Sequence, residues 1–308
     1  MTLGPELTLP PADEARGIET GEMLPAPVGR SLWDDARRRL LRNRAAVASM
    51  IILALLILAS IIGPQLAHWP YGQVNKTDVW VPPLTDGHLL GTDSLGRDLL
   101  ARIFVGLGVS LLVGLVATLV SLVIGITYGA TAGYLGGRID ELMMRIVDVL
   151  YSLPFIFFVI LLMVTFGKNF ILLFVAIGAV EWLTMARIVR AQTIALKNRD
   201  FIEAARAAGL KRRTIVARHI APNLLGPVVV YVTLTIPGVI LAESFLSFLG
   251  LGVQEPRTSL GTLISEGASQ MELAVWMLVF PASVMAITLM AFNFLGDGLR
   301  DAIDPKDR

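Results

Sequence analysis

The sequence predicts an all-α polytopic membrane protein with six transmembrane helices and both termini cytoplasmic. Three observations predict it. Of 308 residues, 55% are hydrophobic and 17% are charged, against about 25% charged in an average soluble domain; mean hydropathy is +0.68. Apolar runs of about 18 residues or more recur, enough to cross a bilayer as helices. Basic residues crowd alternate loops, which orients the chain.

Residues 1–30 hold Pro5, Pro10, Pro11, Pro25 and Pro27 among scattered acids. They have no apolar core of signal-peptide length and read as a disordered cytoplasmic tail. Residues 31–44 read as an arginine-rich interfacial helix resting on anionic lipid. Spans are placed at Ala45–Leu66, Phe104–Tyr128, Ile146–Phe166, Phe170–Ile188, Leu224–Leu249 and Leu273–Leu295. Residues 45–103 therefore form the first span and an outer loop, 104–295 the core, and 296–308 a cytoplasmic end. Backbone groups in hydrocarbon must satisfy each other, so helices are the default.

Orientation follows from arginine and lysine. Arg30, Arg37, Arg38, Arg39, Arg42 and Arg44 precede the first span, and Arg138 and Arg145 lie between spans two and three. The loop after span four carries Arg187, Arg190, Lys197, Arg199, Arg206, Lys211, Arg212, Arg213 and Arg218. The other side has only Lys76, Arg97, Arg102, Lys168 and Arg257. The rule that positive loops stay inside puts the basic loop in the cytoplasm. Net charge is +1, so no global field points to nucleic acid. With no cysteine, disulfides and thiolate metal sites are excluded.

The basic loop, 198–222, holds the most specific local pattern. Asp200 as N-cap would place Glu203 at N3, where it can reach back in a capping box. Gly209 suits the left-handed stop of a helix. Lys211–Ile220 reads as a second helix ended by Pro222. Phe201, Ala204, Ala205 and Ala208 share a face by helical spacing, smooth enough to enter a cleft on another protein. An amphipathic helix lying on the membrane is the plainer alternative.

Elsewhere, Asp93 or Ser94 can open the helix that runs into span two, and Arg97 can pair with Asp98. These three residues, Asp93, Arg97 and Asp98, read as a brace of the outer loop or as a partner contact. Glu181 lies near mid-bilayer and is the sharpest candidate for a residue lining a translocation path, since intramembrane acids are costly. Glu243 is a second candidate, at the outer mouth or against a sister subunit. Asp148 is expected to pair with Arg145 at i−3. Pro154, Pro237 and Pro281 each permit a kink, and Gly238 beside Pro237 makes span five the best hinge. His68, His88 and His219 read as surface groups and form no metal cluster. No nucleophile–base set and no Walker-type phosphate loop is present, so the chain is expected to be neither an enzyme nor an ATP binder by itself.

Glu203-Ala-Ala, Gly209 and Ile220-Ala-Pro222 resemble the EAA loop of ABC importer permeases, although Ala221 replaces the usual leucine. Gly91-Thr-Asp-Ser-Leu-Gly-Arg-Asp98, Leu246-Ser-Phe-Leu-Gly-Leu-Gly252 and Phe292–Asp301 with Asp304-Pro305 resemble the dipeptide/oligopeptide/nickel permease family, in its C-type subunit. The resemblance covers residues 29–308 and implies a type I ABC importer transmembrane domain in the bacterial inner membrane. It implies that the 198–222 loop docks as a coupling helix on a cytoplasmic ATPase, with Phe201, Glu203, Ala204, Ala205, Ala208, Gly209 and Pro222 as contact or shape residues. Implied partners are a homologous B-type permease, two ABC ATPases that hold ATP and Mg, and a periplasmic peptide-binding protein. Dipeptide, glutathione and nickel importers share most of these motifs. An ion-coupled secondary transporter is the alternative from another class, with fewer features in its favour because no inverted repeat is apparent.

Overall fold

The computed structural model of the chain describes residues 32–167 and 170–303. The expected tail at 1–30, Lys168 and the terminal Asp304-Pro305 lie outside the described residues.

Helix α1, Leu32–Arg42, leads through Asn43 into α2, Arg44–Leu66. Asn43 earns the turn: its side-chain oxygen accepts from the amides of Ala45 and Ala46. α1 packs on the last helix of the chain, so more than lipid holds it. Helix α3, Leu99–Leu135, is a single 37-residue helix, longer at both ends than the expected second span. Apolar length was legible; the end positions depend on caps, which here lie outside the apolar run.

The third span is broken. Helix α4, Gly137–Ser152, and helix α5, Phe155–Phe166, meet at Leu153–Pro154 with a bend of 81°. Pro154 lacks the N–H that would continue α4, and it disfavours helical geometry at Leu153. By contrast Pro237 and Pro281 lie inside unbroken helices, so the proline expected to mark the best hinge does not interrupt its span. Helix α6, Phe170–Leu196, is followed by α7, Asp200–Ala207, and the single turn α8, Arg212–Ile215.

Val216–Ile220 then forms a π-helical turn that runs directly into α9, Ala221–Phe248. This corrects the expectation that Pro222 ends a helix. Pro222 has no N–H and its ring crowds the carbonyl one turn back; widening that turn, with the Ala221 amide bonded to the Val216 carbonyl, lets the helix pass through. Helix α10, Leu260–Ser269, and helix α11, Trp276–Ile303, complete the chain. Among the described residues, five helices are long and apolar enough to cross a membrane, and the bent α4–α5 pair, taken as one span, makes six.

The core runs along α3. Beside Gly114 lie Ile236 and Ile240 of α9, and beside Gly125 lie Met185 and Ala186 of α6. A Cβ at Gly125 would fall 2.5 Å from the Met185 side chain, so these small residues serve close packing within the chain.

Candidate functional site

The candidate side chains fall at the two ends of the bundle and within it.

At the basic end, α7 turns Ile202 and Ala205 inward. They pack with Tyr134, Met185, Val189, Ile215, Ile220 and Leu224 in one buried cluster drawn from five helices, α7 included, and the π-turn. Phe201 stays 42% exposed, and Glu203, Ala204, Ala207 and Ala208 face outward. The expected four-residue face is therefore corrected: Ala205 belongs to the chain's own core, and Ala207 joins the outer surface. The capping box is corrected as well. Arg199 is the cap residue and no side chain caps the helix, so Asp200 and Glu203 both fall in the first turn. There their charges favour the positive end of the helix dipole. The stop matches expectation. Gly209 has φ +77°, its amide bonds the Arg206 carbonyl at 2.9 Å, and the Leu210 amide reaches the Ala205 carbonyl at 3.2 Å, a Schellman closure.

At the opposite end, Asp93 is saturated. One oxygen accepts the amides of Leu95 and Arg97 at 2.8 and 2.9 Å, and the other accepts Arg97 Nε and Arg102 Nη1 at 2.6 Å each. Arg102 also donates to Glu266 of α10 at 2.6 and 3.0 Å, and Arg97 donates to Glu255 at 2.8 Å. Burial works to lower the Arg97 pKa, but the carboxylates of Glu255, Asp93 and Glu266 outweigh it and leave it raised. Arg97 does not pair with Asp98. Asp98 instead caps α3 through the Ala101 amide and bonds His88 Nδ1 at 2.8 Å. Asp98, not Asp93 or Ser94, opens the helix, because Asp93 is occupied by the two arginines. His88 is buried and stacks on Trp69, contrary to the surface position expected of it. Glu266, Glu255 and His88 were missed by sequence reasoning. The available signal was Arg102, a cation in the first turn of a long apolar helix that needs a partner.

Within the bundle, Glu243 is fully buried and accepts from Ser247 Oγ at 2.6 Å and Ser110 Oγ at 3.3 Å. Ser110 Oγ in turn accepts the Leu260 amide at 3.1 Å. Glu243 thus ties α3, α9 and α10 together, and it is not open to a path or to a sister subunit's surface. Glu181 differs. It lines a cleft of about 390 Å³ with Leu150, Tyr151, Ser152, Pro154 and Thr184, at the break between α4 and α5. Arg187 is bonded to Asp148 at 2.8 Å and lies over the Tyr151 ring at 4.3 Å. The expected Asp148–Arg145 pair is replaced by this longer-range one.

Residues 122–308 match the family model of the binding-protein-dependent transport system inner membrane component. The chain belongs to that family. Residues 31–83 match a second model, the N-terminal transmembrane domain of oligopeptide transport permease C. The permease is 56% identical over 285 residues to the oligopeptide transport system permease protein OppC of Escherichia coli K12, covering 91% of this chain and 93% of the relative. It is 43% identical to OppC of Bacillus subtilis, covering 90% of this chain and 91% of the relative. It is 45% identical to the dipeptide permease DppC of the same organism, covering 90% and 87%. A solved structure of the MetNI methionine ABC transporter in inward-facing conformations aligns with TM-score 0.55 and 20% identity, over 67% of this chain and 96% of that chain. The permease therefore has the transmembrane fold of a type I ABC importer and is a multi-pass inner-membrane protein, a transport component of its system.

Proposed function

We propose that the chain is the C-type transmembrane subunit of an ATP-driven importer of oligopeptides. The observation that supports this most is α7: a short helix whose inner face is locked into the chain's core while its outer face stays free. A partner pressing on Phe201, Glu203, Ala204, Ala207 and Ala208 would move α6 and α9 with it. In this reading the basic side is cytoplasmic and α7 docks on one of two ABC ATPases, which bind ATP and Mg. Gly209 and Pro222 shape the lever, at its stop and at its π-turn, and do not need to touch the partner. A related B-type permease completes the pathway and a periplasmic binding protein delivers the peptide. Motion requires contacts that differ between two states, and nucleotide-driven closure of the ATPases supplies them at α7.

The cargo follows from the relatives named for oligopeptide transport, with high identity across the chain. A dipeptide is the second reading, favoured by the slightly higher identity to DppC than to OppC within Bacillus subtilis. The test is peptide uptake into proteoliposomes holding the complete complex. Uptake should stop when ATP hydrolysis is blocked and persist when ion gradients are collapsed; the reverse pattern would indicate an ion-coupled carrier. Competition by tri- to pentapeptides against dipeptides separates the two cargoes.

A further inference from the structure

We infer that the cleft at the break of the third span binds a cationic group of the cargo through Glu181; this rests on the peptide-import reading. Glu181 sits about eleven residues into α6, roughly 16 Å along the helix and hence near mid-bilayer. Among the described residues no hydrogen bond or ion pair reaches its carboxylate. The one arginine a turn and a half away, Arg187, is committed to Asp148 and Tyr151. An acid at this depth needs a cation or a proton. The cleft gives room for a cation. A proton requires no space, whereas about 390 Å³ is the size of a pocket for a small ligand or a side chain.

The wall opposite Glu181 reinforces the charge preference. Helix α4 ends there at Ser152, so its final carbonyls point toward the break, and the negative end of its dipole adds to the carboxylate. Of these carbonyls, Leu150 accepts the Leu153 amide at 3.3 Å and Val149 accepts the Ser152 hydroxyl at 2.7 Å. Thr184, one turn from Glu181 on the same helix, supplies a hydroxyl to the same cleft. A carboxylate, a hydroxyl and helix-end carbonyls suit an ammonium, which offers three donors and accepts none. A lysine side chain of the cargo carries such an ammonium on a flexible four-carbon stem. Discontinuous helices that present their ends to charged groups are a recurring way to build such a site in hydrocarbon.

The test compares turnover of two peptides that differ only by lysine or norleucine at one position, in the assembled complex, with the binding protein saturated by each. Turnover is counted per assembled complex. Glu181→Gln should lower the lysine-to-norleucine turnover ratio about tenfold, the loss expected for a hydrogen bond to a charged group. Glu181→Asp should leave the ratio near wild type. An unchanged ratio in Glu181→Gln, with wild-type uptake present, overturns the assignment alone. Equal loss of both peptides in Glu181→Gln also overturns it, marking instead a pairing with a cation of the sister subunit. A wild-type complex that moves neither peptide overturns the import reading and this assignment with it.

Discussion

The Asp93 end of the molecule and the α7 end are both rich in charge, but they use it in opposite ways. At the Asp93 end the charges close on themselves: each oxygen of Asp93 takes two donors, and Arg102 and Arg97 reach on to Glu266 and Glu255. Sequence neighbours 91–98 are thereby fastened to α10 and to the loop before it. At the α7 end the buried contacts are apolar, through Ile202 and Ala205, and the charged groups Glu203 and Arg206 are left outward. A region whose polar groups are saturated internally is a brace. A region held by apolar packing, with its charged side chains left on the solvent side, is built for another surface. Burying charge without a full set of partners is costly, which is why the brace must be complete and the docking face must stay wet.

The strongest way to break this contrast is Asp93→Asn. Asn keeps one acceptor oxygen and no charge, so Arg97 and Arg102 lose their shared carboxylate and keep only Glu255 and Glu266. The expected loss is about 3–5 kcal/mol, the cost of unpairing a buried charge, read as a large drop in thermal stability of the purified chain in detergent. A small shift would mean that water enters the network and that it is no brace. Next is Ile202→Ala, which should cost about 2–4 kcal/mol because the side chain is fully buried. Uptake should fall with it while peptide binding to the binding protein is unchanged, since α7 would lose its grip on the core. Glu203→Arg reverses the pattern. Its stability effect should stay within about 0.5 kcal/mol, yet ATP-driven uptake should fall at least tenfold, about 1.4 kcal/mol of coupling. Normal peptide-stimulated hydrolysis in that variant would return Glu203 to a plain first-turn charge on the helix.

How much of this the sequence disclosed depends on the range of the forces involved. Spans were legible because membrane crossing depends on local apolar length, and α2 begins and ends within a residue of its expected bounds. The left-handed stop at Gly209 was legible because backbone chemistry there is local. Asp98 and Asp93 exchanged roles for the opposite reason: Asp93 was claimed by Arg102, and through it by Glu266, 164 residues away from that arginine. Likewise helical spacing assigned Ala205 to the outer face, but the inward side of an eight-residue helix is chosen by the core it meets, here Ile215, Ile220 and Leu224. Pro154 and Pro222 carried the same warning of a break. One produced an 81° bend and the other a helix that continues, because a π-turn was accommodated only at Pro222.

That last pair sets the subtlest test of the comparison. If the α7 end is a lever, its stiffness passes through the π-turn into α9. Pro222→Ala restores an amide and removes the ring, so the turn at Val216–Ile220 is free to relax toward an α-helix. Stability should change by no more than about 1 kcal/mol, since Ile215 and Ile220 stay buried on either side. Relaxation would drop one residue's worth of widening and rotate α7 relative to α9. Hydrogen exchange over residues 217–222 should slow as regular bonds form, and transport per ATP hydrolysed should fall by about twofold while hydrolysis itself persists. Unchanged exchange would locate the cause of the turn in the packing of Ile215 and Ile220 instead of in Pro222. The irregularity would then belong to the core, and the two ends of the molecule would differ only in which face they leave to solvent.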